Sequence, residues 1–197
     1  MRKIDFARKT GETDIVGTLN LDGQGKYNVK TGCGFFDHMT ELFAKHGGFD
    51  LDLFCNGDIH VDCHHTVEDC GIALGKAFKD ALGNKKGIYR YGSIILPMDE
   101  ALVLVALDFS GRAYLNFDVD FPDEYKLGDM DVELIEEYLL AFVRNAEITL
   151  HVKKIYGKNN HHVAEGVFKG FARALKQAVA IDEKNKDVLP STKGVLE

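Results

Sequence analysis

Four of the eight histidines in this 197-residue chain fall in two copies of one motif. His64-His65-Thr66-Val67-Glu68 and His161-His162-Val163-Ala164-Glu165 share the pattern His-His-x-x-Glu, 97 positions apart. On a helix, positions i and i+4 lie on one face, so His64 with Glu68, and His161 with Glu165, can each grip one metal ion. The middle histidine of each motif points about 100° round the helix and cannot easily reach that ion. His65 and His162 must therefore serve a different ion, or none. Two such motifs brought together would build two sites, each a chelating pair plus a single histidine from the other motif. Spacing alone thus predicts a dinuclear centre. Imidazole and carboxylate without thiolate suit Mn, Fe or Zn, and open coordination positions favour Mn or Fe. A lone helical histidine is ordinarily solvated or satisfied in a core; the repetition is what argues otherwise here.

Two further residues stand in matching places. His38 lies 26 residues before His64, and Glu137 lies 24 before His161. Both can donate to a metal, one through nitrogen and one through oxygen, although an isolated helical glutamate is usually only solvated.

The elements that must position these residues repeat as well. Residues 4–8, 14–21 and 26–30 read as strands separated by Thr10-Gly11 and Asp22-Gly23-Gln24-Gly25. A helix is expected over 35–45, stopped by Gly47-Gly48, then an alternating strand through Phe49, Leu51, Leu53 and Cys55, then a helix over 64–82. The order restarts after Gly87, with strands at 93–96, 101–108 and 113–119, a helix over 131–146, a strand through Ile148, Leu150 and Val152, and a helix over 161–180. Each half is β-β-β-α-β-α, so the expected fold is α+β, two fused similar halves with sheets packed against helices. The expected organisation is one compact unit with a first half at 1–88, a second at 89–181 and a polar tail at 182–197. The acidic segment 118–130 has loop composition.

Composition narrows the function classes. With 45% hydrophobic and 28% charged residues the chain is ordinary globular material, and a net charge of −7 with no basic run argues against nucleic acid as a partner. No apolar run reaches the roughly 18 residues a membrane-spanning helix needs. The first ten residues lack a secretory core, so a soluble, cytoplasmic protein is expected. Cys33, Cys55, Cys63 and Cys70 show no CxxC spacing and read as reduced thiols.

Several segments together resemble the imidazoleglycerol-phosphate dehydratases. They are Lys9-Thr10-Gly11-Glu12-Thr13, Gly34-Phe35-Phe36-Asp37-His38-Met39, Asp62 to Asp69, Arg90-Tyr91-Gly92, Pro97 to Leu102, Asp108 to Arg112, Gly157 to His162 and Ser191-Thr192-Lys193-Gly194. They span essentially the whole chain. The resemblance implies dehydration of D-erythro-imidazole glycerol phosphate to imidazole acetol phosphate in histidine biosynthesis. It implies a 24-subunit homo-oligomer with active sites between subunits and two Mn²⁺ per site, which bind the substrate ring as imidazolate. By the same resemblance one metal would take His38, His65, His161 and Glu165, and the other His64, Glu68, His162 and Glu137. Glu137 departs from a common family histidine, and Leu42 from a glutamine that some members place against substrate. Glu12 would be the principal general acid/base, with Glu165 also catalytic. His46 would touch substrate. Arg90, Arg112, Lys169, Ser191, Thr192 and Lys193 would bind it at the phosphate end, the last three through a C-terminal tail folded over it.

Two other classes fit parts of the pattern. A dinuclear hydrolase of phosphorylated substrates would share the ligands but need no free imidazole ring. A protein whose metals only staple subunits would have closed coordination shells and no use for Arg90, Arg112 and Lys193.

Overall fold

Alternating burial writes the strands and a 3.6-residue period writes the helices. In the computed structural model, which describes residues 2–122 and 125–196, the first half runs β1 (Lys3–Lys9), β2 (Thr13–Asn20), β3 (Tyr27–Lys30), α1 (Gly34–Gly47), β4 (Asp50–Gly57) and α2 (His64–Leu82). The second opens with β5 (Tyr91–Met98), β6 (Ala101–Asp108) and β7 (Tyr114–Asp118). A short ladder of β8 (Lys126–Leu127) and β9 (Met130–Asp131) follows, then α3 (Leu134–Ala146), β10 (Thr149–Tyr156) and α4 (Asn160–Val179).

The two large sheets have the same topology, β1-β2-β4-β3 and β5-β6-β10-β7. In each, the last-placed strand pairs parallel and the others antiparallel. A parallel pair needs a crossover, and α1 and α3 provide it in equivalent positions. The duplication read from the sequence is therefore present strand for strand.

Each sheet buries one face. In β6, Ala101, Val103, Val105 and Leu107 point inward while the alternate residues do not. Helices α1 and α2 lie on the first sheet and α3 and α4 on the second; the two layers meet with α2 on α3 and α1 on α4. One phenylalanine from each helix fills the centre. The rings of Phe43, Phe78, Phe142 and Phe171 contact one another with centroids 5.0–6.5 Å apart, all fully buried. Such pairs contribute about 0.5–1.5 kcal/mol each beyond the area they bury. The α2–α3 approach is close because Gly71 and Gly75 lack side chains. A Cβ at Gly75 would sit 2.4 Å from the Phe142 carbonyl oxygen, and one at Gly71 2.7 Å from that of Tyr138.

The structure corrects some boundaries. Helix α3 begins at Leu134 rather than 131, because Asp131 pairs in β9. The segment 118–130, expected as loop, forms part of the β8–β9 ladder and buries Leu127 and Met130. Two-residue strands are too short to show a period. Residues 123 and 124 of that segment lie outside the described residues. The tail turns back on the link between the halves: Asp182 N–H donates to Gly87 O at 2.7 Å, and Gly87 N–H to Val188 O at 2.9 Å. Among the described residues no helix is long and apolar enough to cross a membrane.

Candidate metal centre and active site

The site begins at helix starts. The Asn159 side chain caps α4, accepting from the backbone N–H groups of His161 at 3.0 Å and His162 at 3.3 Å. That fixes the first turn, and one turn on, Glu165 Oε1 lies 3.1 Å from His161 Nε2. Helix α1 has Cys33 at its N-cap and no cap from that side chain. Asp129 takes the role from the 118–130 segment, accepting from Gly34 N–H at 2.6 Å and Phe35 N–H at 2.9 Å. Because α1 lies on α4, His38 Nε2 comes within 3.4 Å of Glu165 Oε1.

These three donor atoms all lie within 4.8 Å of one another and could hold a metal ion. With metal–ligand bonds of about 2.2 Å, neighbouring ligand atoms on one ion sit about 3 Å apart, close to the 3.1 and 3.4 Å that separate Glu165 Oε1 from the two rings. The two histidines are 45% exposed at the side chain and Glu165 only 11%, which leaves open positions on the solvent side.

Of the four ligands expected for this metal, the fourth, His65, is elsewhere in the chain. Its Nδ1 lies 3.0 Å from Asp58 Oδ2 and its Nε2 3.6 Å from Glu12 Oε1. The second expected set also stays apart. His64 sits at the start of α2, where Asp62 accepts from its backbone N–H at 2.8 Å. His162 turns to Glu100, with Nδ1 2.6 Å from Oε2. Glu68 and Glu137 have no side-chain hydrogen bond or ion pair among the described residues. The reason is the helix pairing: α4 is neighbour to α1 and α2 to α3, so the two motifs open onto different parts of one chain.

Carboxylates that the sequence reading passed over support the histidines. Asp58 beside His65, and Glu100 beside His162, hold these rings protonated to higher pH than an ordinary histidine, against the effect of burial. Glu100 itself, hydrogen-bonded by His162 and by the Asn159 backbone, is pulled down to about 2. Partners of this kind fix a ligand's tautomer and orientation. Asp99 and Glu100 were in a motif but carried no spacing signal; Asp58 and Asp129 come from loops whose destination no local pattern reveals. Glu165 is subject to burial, which raises its pKa, but a 2.5 Å contact from Lys169 Nζ, with His38 and His161, keeps it below the usual carboxylate range.

Glu12 sits in the β1–β2 turn with its side chain 54% exposed. Thr10 Oγ1 accepts from the Glu12 and Thr13 N–H groups at 3.1 and 3.0 Å. Buried Asp69 of α2 then anchors the turn, accepting from Thr13 Oγ1 at 2.5 Å and Arg8 Nε at 2.9 Å. Glu12 is thereby an exposed acid on a tethered hairpin.

The expected phosphate residues gather at another pole. Arg90, in a left-handed conformation with φ 74°, forks onto both Asp108 oxygens at 2.6 and 3.0 Å and donates to Pro190 O at 2.9 Å. Arg112 donates to Ser110 O at 3.3 Å. Ser191 Oγ donates to Val195 O at 2.7 Å and accepts from Lys193 N–H at 3.2 Å, while Thr192 and Lys193 are exposed. Arg90 N–H bonds Ala178 O near the end of α4. The rise from His161 to Ala178 is about 25 Å, so this pole and the metal donors lie at opposite ends of one helix. Lys169 and His46 belong instead to the metal end, His46 beside Lys169 and Arg173.

Comparison with known proteins supplies the remaining observation. The family model described as imidazoleglycerol-phosphate dehydratase matches residues 31–175. The chain is 60% identical over 195 residues to the imidazoleglycerol-phosphate dehydratase of Acetivibrio thermocellus, covering 99% of each chain. It is 57% identical to that of Clostridium novyi, covering 99% of this chain and 98% of the other. The solved imidazoleglycerol-phosphate dehydratase of Staphylococcus aureus subsp. aureus N315 superposes with a TM-score of 0.81 at 37% identity, covering 90% of this chain and 99% of that one. The Pyrococcus furiosus structure, in complex with (S)-C348, gives 0.83 at 37% identity, covering 96% and 99%. The chain belongs to the imidazoleglycerol-phosphate dehydratase family.

Proposed function

We propose that the chain carries out its family's dehydration at sites shared between copies of itself, each holding two Mn²⁺ ions. The observation that carries this is the distance along α4. About 25 Å separates the metal donors from Arg90, a gap that a small phosphorylated substrate does not span within one chain. A second copy placing its Arg90, Arg112, Ser191, Thr192 and Lys193 over the His38, His161 and Glu165 of the first completes a site. It also supplies partners for His64, His65, Glu68, Glu137 and His162, giving the two ligand sets the resemblance implies. A cytoplasmic 24-subunit shell is the assembly we infer.

The reaction removes a hydroxyl group and a neighbouring C–H proton, and no carbonyl acidifies that bond. Divalent cations held by these ligands would supply the acidity, making the substrate ring easier to deprotonate. The protein's residues do the rest. Glu12, exposed on its anchored hairpin, exchanges the carbon-bound proton as general acid/base. Glu165, kept ionised by Lys169, is available as a metal ligand and as a second catalytic carboxylate. Arginine forks and lysine charges hold the phosphate and fix the substrate's register, and the tail at 182–197 closes over it.

The direct test is turnover of imidazole glycerol phosphate by metal-stripped protein, with and without added Mn²⁺. Restored dehydration supports the reading. Two tightly bound metals per chain with no dehydration would overturn it in favour of hydrolysis of a phosphoester.

A further inference from the structure

Helices α1 and α4 face each other along two regular rows. His38, Leu42 and His46 recur every four residues on α1, as do Glu165, Lys169 and Arg173 on α4. The rows begin at the metal donors and end in a hollow. His46, Lys169 and Arg173 line that hollow, and Ile94, Leu96 and Pro97 of β5 complete it. Along α1 the rise from His38 to His46 is about 12 Å, comparable with the length of an extended three-carbon phosphate carrying a five-membered ring. Lys169 is already engaged with Glu165. Arg173 is exposed and has no carboxylate partner among the described residues. The positions related by the repeat to Lys169, Arg173 and His46 hold Ile72, Lys76 and Asn145, so this three-base arrangement is not duplicated at the equivalent place.

We propose that Arg173 is a positioning residue that sets specificity for the phosphorylated substrate. It offers the phosphate end an uncommitted guanidinium and keeps His46 a neutral hydrogen-bonding ring. The inference rests on the reading that the substrate imidazole occupies the His38–His161–Glu165 end.

The charges around His46 support this. Burial is the largest influence and holds the ring below the ordinary histidine range; Lys169 and Arg173 on α4 push the same way, as does Lys45 on its own helix. Glu165 acts in the opposite sense, and the β5 wall brings no charge. His46 is therefore neutral at neutral pH. It can then donate one hydrogen bond and accept another, as an imidazolium cannot. Removing the Arg173 charge lets the ring protonate at higher pH.

The test compares the intact, metal-loaded enzyme with Arg173→Gln and Arg173→Lys. In Arg173→Gln, KM rises about ten-fold while kcat falls less, the pattern of lost substrate binding. The acid limb of kcat/KM moves to higher pH by roughly a two- to three-fold change in proton concentration, the reach of one unit charge across a few ångströms of water-like medium. Arg173→Lys restores the limb but only part of the KM, because a lysine lacks the planar fork. In a His46→Gln background the Arg173→Gln shift of the limb disappears. Calorimetric titration with inorganic phosphate needs no turnover and shows affinity falling in the order wild type, Arg173→Lys, Arg173→Gln. An acid limb and phosphate affinity both unchanged in Arg173→Gln would overturn the proposal. Loss of dehydration in every protein, with phosphate affinity still following Arg173, would instead refute the functional reading and leave Arg173 as an anion ligand.

Discussion

Glu165 concentrates the site's chemistry in one side chain. It touches His38 and His161 through one oxygen and Lys169 through the other, and it is nearly buried where they meet. A carboxylate so surrounded stays ionised and directed, which a chelating ligand requires. Glu12 is its opposite, exposed on a turn that Asp69 fixes, with His65 Nε2 3.6 Å from its carboxylate. Glu12→Gln is expected to leave metal content unchanged while lowering kcat about 10²–10⁴-fold, the range for loss of a general acid/base. Metal analysis beside steady-state kinetics checks this, and unchanged turnover would rule out the role.

Elements place these residues through contacts distant in sequence. Asp129 caps α1 from 95 positions away, at the helix that carries His38. Its carboxyl feels burial first, yet the Phe35 and Gly34 N–H groups hold its pKa down. A depressed carboxylate stabilises the fold above its unfolded pKa, and that contribution is lost as pH falls through the folded value. Asp129→Ala is expected to cost about 1 kcal/mol near neutral pH, the ordinary loss of a cap, and to narrow its difference from wild type in acid. Denaturant melts at several pH values measure this; a pH-independent difference would contradict it. The α2–α3 contact makes a sharper case. Alanine normally stabilises a helix interior over glycine by about 1 kcal/mol. Gly75→Ala is nonetheless expected to destabilise by about 1–3 kcal/mol, since its Cβ meets the Phe142 carbonyl oxygen. A higher melting temperature would mean that the helices separate easily.

At the scale of the molecule, one chain carries two poles and the proposed site needs both. Chains bearing Glu165→Gln and chains bearing Lys193→Ala are each expected to lose most activity. Unfolded and refolded together they should regain about a quarter of wild-type activity, because random mixing pairs an intact metal pole with an intact phosphate pole about one time in four. Mixtures no more active than the separate variants would place the whole site in one chain. The proposed bridging also makes assembly depend on metal. His161→Ala should lose metal and shell together, as sedimentation would show, and a fully metallated, active shell in that variant would sink the bridging model.

The sequence by itself determined what is local. The i, i+4 spacing made His161 and Glu165 a chelating pair, and in the structure their donor atoms are 3.1 Å apart. Periodicity gave the strands and helices of both halves, and the repeated order of elements gave the duplication, because each depends on residues a turn or a pleat apart. The family was legible for a related reason, since its motifs are contiguous stretches such as Gly34 to Met39. Tertiary structure alone decided that α1 lies on α4, which joins His38 to the second motif and sends His65 to Asp58 and Glu12. It decided that Asp129 caps α1, and that Arg90 lies a helix length from the start of α4 while Arg173 shares a hollow with His46 and Lys169. The helices themselves meet through the close approach of α2 and α3 at Gly71 and Gly75 and through the four central phenylalanines. Such contacts join residues tens of positions apart, and no period in the chain encodes which of them will meet.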